Sequence, residues 1–260
     1  MNNPQLYIYD NFGDDVLAFS TTRHGGVSKD EYGEFNINKY CGDNADDIQA
    51  NRQLLAETLG IDESHIVVPH QVHGVDSRMI ADEYFSLPEN IREMIIDKTD
   101  AIMTDAKGVC VGVSTADCIP VLLYDKEHHA ACAIHAGWRG TVARIVIKSI
   151  MAMRATFGTN STELKAIIGP GISLKNFEVG QEVYDEFAKA EFDMNAIARM
   201  EEKWHIDLPE CNRLQLIKAG LKPENITMSG ICTFDNNADY FSARRQGINS
   251  GRIYTGIVLK

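Results

Sequence analysis

Apolar and polar positions along the chain change period several times, and each change marks an element. Val16–Thr21 alternates weakly and carries β-branched residues, which predicts a strand ending at the turn Arg23-His24-Gly25-Gly26-Val27. From Asp43 or Asn44 to Leu59 the spacing predicts a helix: an Asx residue opens it, Ile48, Leu55 and Leu59 share one face, and Gly60 closes it. The middle of the chain holds three short apolar runs, 109–114, 119–124 and 130–134, separated by polar breaks and therefore predicted as central strands. After Gly137-Trp138-Arg139-Gly140 the apolar positions become 142, 145, 146, 149 or 150, 153 and 157, a helical face that stops at Gly158. A strand at Lys165–Ile168, helices over 181–190 and 208–219 with Asp207 as cap of the second, and strands at 226–232 and Ile253–Leu259 follow. Strands and helices mix without regular βαβ alternation, which predicts an α+β fold with mixed β-sheets rather than a doubly wound parallel sheet. Neither G-x-G-x-x-G after a strand nor G-x-x-x-x-G-K-[ST] occurs, so dinucleotide and P-loop chemistry fall away.

Composition narrows the class. With 260 residues, no internal repeat and no Gly/Ser-rich linker, residues 1–260 are expected to form a single domain. Hydrophobic residues at 44% and charged residues at 24% support a sizeable core. Lys plus Arg number 25 against 37 Asp plus Glu, a formal charge of -12, which gives no long-range attraction for nucleic acid or anionic lipid but leaves room for a local pocket that binds a small anion. No apolar run approaches the ~20 residues of a membrane span, and the start of the chain has no basic-then-apolar leader. The expectation is a cytoplasmic protein, monomer or weak homodimer, that acts on a small molecule and binds neither nucleic acid nor membrane. Six Cys at 41, 110, 118, 132, 211 and 232 are sparse for the length and partly sit in apolar runs, so reduced thiols are expected, one of them reactive or metal-bound.

Three segments hold groups that make chemical sense together: His70-Gln71-Val72-His73-Gly74, Thr115-Ala116-Asp117-Cys118 and His135-Ala136-Gly137-Trp138-Arg139-Gly140. Each is expected to place a metal-capable side chain at a strand end beside a turn. Two imidazoles and a thiolate suit Zn²⁺, and a three-ligand site leaves a position for water or substrate. The long gaps between 73, 118 and 135 lack the close pairs of structural zinc sites. The bland alternatives are a turn residue at His73, a small buried hydrophobe at Cys118 and a hydrogen-bonded core imidazole at His135. In an extended segment His70 and His73 point to opposite faces, so only one would serve. Asp117 and Asp100 either orient an imidazole and move protons or cap turns. Arg139 at a helix start, and Arg23, Arg244 and Arg245 beside turn residues, either hold an anion or pair on the surface. Gly169-Pro170-Gly171 is a tight turn and a weak phosphate cradle. Cys118 with His135 also reads as a thiol hydrolase dyad. No G-x-S-x-G elbow is present, and eight His undersupply a four-copper oxidase.

The ordered motifs Ser20-Thr21-Thr22-Arg23-His24-Gly25-Gly26-Val27-Ser28, Cys41-Gly42-Asp43-Asn44, Gln71-Val72-His73-Gly74, Thr99-Asp100-Ala101, Thr115-Ala116-Asp117-Cys118 and His135-Ala136-Gly137-Trp138-Arg139-Gly140 are followed by four more. These are Ile168-Gly169-Pro170-Gly171-Ile172, Phe177-Glu178-Val179-Gly180, Tyr240-Phe241-Ser242-Ala243-Arg244-Arg245 and Gly251-Arg252. Together, from about residue 18 to the C-terminus, they resemble the YfiH/laccase-domain family, also called the multicopper polyphenol oxidase or peptidoglycan editing factor family. The resemblance implies one domain of packed sheets flanked by helices, similar in architecture to cytotoxic necrotizing factor, and a zinc site, with copper as the alternative, on residues matching His73, Cys118 and His135. It further implies purine nucleoside phosphorolysis (adenosine, inosine, guanosine, methylthioadenosine) with adenosine deamination as the leading activity. Alternatives are a cytoplasmic zinc amidase that edits peptidoglycan precursors carrying the wrong first amino acid, of the UDP-MurNAc-L-Ser type, a copper polyphenol oxidase, and a non-catalytic metal or nucleotide sensor. On this reading Asp117, Asp100 and Arg139 are catalytic candidates and Arg23, Arg244 and Arg245 bind substrate or phosphate. One departure is Ala243, where an aromatic often precedes the two arginines.

Overall fold

The structure, a computed structural model, describes residues 3–260. The chain opens with the strands β1 (Leu6–Tyr9) and β2 (Val16–Thr21), the helix α1 (Ala45–Leu59), the short strands β3 (Ile66–Val67) and β4 (Ser77–Met79), and α2 (Glu89–Ile96). Four strands follow, β5 (Ala101–Thr104), β6 (Cys110–Thr115), β7 (Ile119–Asp125) and β8 (Ala130–Ala136), then α3 (Trp138–Val142), α4 (Ile145–Phe157) and β9 (Lys165–Ile168). The last third contains β10 (Glu178–Val179), α5 (Gln181–Lys189), α6 (Met194–Ile197), β11 (Ala198–Met200), β12 (Trp204–Ile206), α7 (Leu208–Lys218), β13 (Ile226–Met228), α8 (Ala243–Gln246) and β14 (Ile253–Leu259).

Two mixed sheets result, in the orders β1-β2-β14-β6-β3 and β13-β9-β7-β8-β5-β4, with a small β10-β12-β11 sheet beside them. The strand period of two sorts the side chains into layers. In β7, Leu122 and Tyr124 join Val111 and Val113 of β6, Ala131 and Ala133 of β8 and Ile257 and Leu259 of β14 in the core between the sheets. Val121 and Leu123 of β7, with Cys132 and Ile134 of β8, pack instead against Val146, Ile150 and Met153 of α4 and Cys211 and Leu216 of α7. On the outer face of the other sheet, Phe19, Tyr254 and Val258 meet Phe35, Ile37 and Leu55. The α+β expectation with sheets packed together and flanked by helices therefore holds.

Local chemistry explains the element ends. The Asn44 side chain accepts from the amides of Asp46 and Asp47, and Gly60 closes α1 with φ 68°. The helix predicted from 142 to 157 is two helices, because Arg144 takes a left-handed conformation (φ 65°), its guanidinium 3.6 Å from the Phe192 ring centroid. The strand predicted over 226–232 stops at Met228, ahead of Gly230 at φ 68°. Short elements such as β5 and α2 are not foreshadowed in the sequence, their runs being too brief to show a period. Among the described residues no helix is long and apolar enough to cross a membrane.

Candidate metal centre

β6 and β7 belong to different sheets, so residues 116–118 carry the chain from one sheet to the other, and Cys118 ends that crossing. His135 stands opposite Pro120 near the end of β8, on the same strand face as Ala131 and Ala133, so it continues the inter-sheet core to its open end. His73 arrives differently. Residues 70–74, expected at the end of a strand, form instead an irregular loop between β3 and β4, in which His73 adopts φ 61°. One candidate ligand atom from each of His73, Cys118 and His135 lies within 4.8 Å of the others, and among the described residues no other group of three or more His, Cys, Asp or Glu gathers this way. His70 does not take part: its Nδ1 lies 2.6 Å from Asp97 Oδ1, and its ring stacks on Tyr40 at 4.4 Å.

Asp100, fully buried just before β5, ties the two imidazoles together. Its Oδ1 accepts from the His73 amide at 2.9 Å and its Oδ2 from the amides of Val72 (3.2 Å) and Gly74 (2.7 Å). Oδ1 lies 2.8 Å from His135 Nδ1, and because an ionised carboxylate only accepts, Nδ1 is the donor and Nε2 is left for the site. Burial alone would raise the Asp100 carboxyl, but the His135 hydrogen bond and charge, with the loop amides, outweigh it and hold the group below its ordinary value. Burial would likewise push the Cys118 thiol up, yet the His135 imidazole beside it, and with it His73, favour the charged form and bring it down, toward the thiolate. His135 is raised in return: burial opposes its charge, but Cys118 and Asp100 favour it.

The glycines of these motifs make the approach possible. A Cβ at Gly137 would stand 2.8 Å from His73 Cδ2 and 3.1 Å from Cys118 Sγ, and one at Gly140 would stand 3.0 Å from the Gly74 carbonyl oxygen. Two imidazole nitrogens and a thiolate, with a carboxylate fixing one ring, are the donors that borderline-soft transition metals take, so the residues fit a bound metal ion.

The trio opens onto a cavity of about 760 Å³, within the range of small-molecule sites. Asp117, with φ 88°, lines it and accepts from Thr233 Oγ1 (2.7 Å) and the Arg244 amide (2.6 Å). Arg244 also lines it, giving one hydrogen bond from Nη1 to the Glu178 carbonyl. The other predicted cations do not line this cavity. Arg23 donates to the carbonyls of Gly33 and Asn237 and sits over Phe241, Arg139 is exposed over Trp138, and Arg245 donates to the Phe234 carbonyl over that ring. The turn at Gly169-Pro170-Gly171 is packed, since a Cβ at Gly171 would meet Ile119 at 2.4 Å. Arg252, Asn38 and Phe177 also line the cavity and have no role in the sequence expectations; Arg252 and Phe177 fall within the ordered motifs, their only signal in the sequence.

The sequence profile of the family described as multi-copper polyphenol oxidoreductase laccase matches residues 17–260. A purine nucleoside phosphorylase of Bacteroides thetaiotaomicron is 46% identical over 247 residues, 94% of this chain and 92% of that protein. A protein named adenosine deaminase, from an unknown prokaryotic organism, is 39% identical over 94% of both chains. Among solved structures, YlmD from Geobacillus stearothermophilus superposes with a TM-score of 0.89 at 29% identity, covering 97% of this chain and 94% of its own. With a match over nearly its whole length and the shared fold, the chain belongs to this laccase-like family, the one that includes the YfiH and YlmD proteins.

Proposed function

We propose that the protein is a zinc-dependent purine nucleoside phosphorylase that also deaminates adenosine, working at the His73, Cys118 and His135 centre. The observation that carries this reading is a metal-ligand trio and a guanidinium with donors to spare, Arg244, on the walls of one cavity, in a chain 46% identical to a protein named for that activity. Arg252 lines the same cavity but gives its guanidinium to the carbonyls of Ile248, Ser250 and Gly251, so Arg244 is the residue that grips phosphate.

Zinc bound by the two imidazoles and the thiolate would supply Lewis-acid polarisation and a more acidic bound water. The chain supplies the rest. In phosphorolysis, a phosphate oxygen held by Arg244 bonds to the ribose anomeric carbon as the bond to the purine nitrogen breaks. The bonding pair leaves with the purine, and the proton of hydrogen phosphate passes through Asp117 to that base. In deamination Asp117 takes a proton from the attacking water and returns it to the departing amine, so that ammonia and inosine form. Asp100 is fully buried and does not line the cavity, so it orients His135 and the 72–74 amides and meets no substrate.

The test is product analysis by chromatography on adenosine and inosine with and without phosphate, for wild type, Cys118→Ala and Arg244→Ala, beside metal analysis. Base release that requires phosphate, lost with the metal in Cys118→Ala, is expected. Arg244→Ala should keep its metal and raise KM for phosphate by roughly 10-fold or more, the size of a lost charge-assisted hydrogen bond. Base release without phosphate, or full activity in metal-free Cys118→Ala, would overturn the reading.

A further inference from the structure

We propose that Gln71 is a positioning residue that sets the metal affinity of the centre by fixing the His73 loop to the sheet. The proposal rests on the metal reading above.

β3 pairs with β6 only through Ile66 and Val67, opposite Cys110 and Val111, so among the described residues the edge of β6 beyond Val111 lacks a strand partner on that side. The Gln71 side chain takes that place. Its Nε2 donates to the Ser114 carbonyl at 2.8 Å, and its Oε1 accepts the Ser114 amide at 2.8 Å. A primary amide presents an N–H donor and its acceptor oxygen on one edge, as a strand residue presents its N–H and C=O, so it completes the ladder where the main chain has turned away. Ser114 is four residues before Cys118, and Gln71 is two before His73. The clamp therefore connects the strand leading to one metal ligand with the loop bearing another.

That loop needs the connection. His73 is the exposed ligand of the trio and holds a left-handed backbone, a conformation that survives only where surroundings impose it. Asp100 grips the amides of 72, 73 and 74 from beneath, which sets the curl of the loop, and Gln71 fixes the loop against β6. His135, by contrast, sits within a strand paired on both sides and requires no such clamp.

The experiment measures zinc dissociation constants by chelator competition for wild type, Gln71→Ala, the near-isosteric Gln71→Glu, His73→Ala and the double variant Gln71→Ala/His73→Ala, with Tm of each metal-free protein. Residues that orient metal ligands typically change affinity by roughly 10- to 100-fold, and that loss is expected for both Gln71 variants. Because Gln71 acts through His73, the double variant should bind zinc no more weakly than His73→Ala alone. Equal affinity in wild type and both Gln71 variants, or losses that add in the double variant, would overturn the proposal. If Gln71→Ala does not fold, Gln71→Glu decides, since it keeps the size and replaces the donor with an acceptor that repels the Ser114 carbonyl. A wild type that binds no zinc would sink the metal reading itself, a result distinct from a zinc protein indifferent to Gln71.

Discussion

Cys118 and His135 stand on one kind of support and His73 on another. The first two are set by central strands whose side chains are buried along their whole length, β7 and β8, paired residue by residue from Ile119 opposite Ala136 to Asp125 opposite Ala130. The third rides on a loop held by side-chain groups, the Asp100 carboxylate and the Gln71 amide. A close-packed sheet sets where Cys118 and His135 stand and leaves Asp100 only the His135 ring to orient, while a loop needs hydrogen bonds to hold its backbone as well. The half of the centre built on strands should therefore persist when the loop is disturbed, and the reverse should fail.

Removing one ligand from each half tests the contrast most severely. Cys118→Ala takes the thiolate of the trio and should lower zinc affinity at least about 100-fold, because a zinc site's binding free energy, on the order of 10 kcal/mol, rests on only a few ligands. His73→Ala leaves Cys118 and His135 in register and should retain measurable zinc binding. Competition with a chelator ranks the two; if His73→Ala binds no metal while Cys118→Ala does, the strand-built half is not the anchor.

Gly137→Ala probes the seam between the halves and should have the next largest effect. The added methyl group would come within 2.8 Å of His73 Cδ2 and 3.1 Å of Cys118 Sγ, so a ligand must shift. Overpacking of this kind costs about 1–3 kcal/mol. The cost is expected to appear as zinc affinity lowered by roughly 10-fold or more, with far-UV circular dichroism unchanged, since Gly137 lies after β8 and outside the sheet. Unaltered affinity would mean that the loop carrying His73 yields freely.

The same contrast explains how much was legible in the sequence. Runs such as 119–124 and 130–134 show as strands because burial on both faces leaves no polar residue in them, and Cys118 and His135 stand out at their ends. Residues 68–76 have no period at all; only the Q-x-H-G motif marked His73, and the strand expected there is a loop. Strands as short as β3 or β10 are fixed by partners distant in sequence and leave no local trace. Arginines show the limit most clearly. Arg23, Arg244 and Arg245 all lie near turn residues, yet only Arg244 lines the cavity, because Phe241 and Phe234 receive the other two. Sequence carries the charge but not the tertiary contact that uses it.

The smallest expected effect is the sharpest check on the strand-built half, and it lies at the far end of the β7–β8 hairpin. Asp125 Oδ1 accepts the amides of Glu127 and His128, and its Oδ2 lies 2.8 Å from His128 Nδ1. Burial would raise this carboxyl, but the neighbouring Thr159 hydroxyl and the hydrogen bonds and charge of His128 lower it below its ordinary value. A carboxyl depressed in the folded state stabilises above its unfolded pKa, near 4, and that contribution is lost as pH falls through the folded value. Wild-type stability should therefore drop by about 1 kcal/mol more than that of Asp125→Asn between pH ~5 and pH ~2, the worth of a typical hydrogen-bonded group. Urea midpoints of the metal-free protein across that range measure it. At pH 7 the variant should be less stable by a similar amount yet bind zinc as wild type does, because Cys118 and His135 are held by the pairing of the strands and not by their turn. Zinc affinity that falls with the turn would show that the strands transmit strain to the site, and the distinction between its two halves would fail.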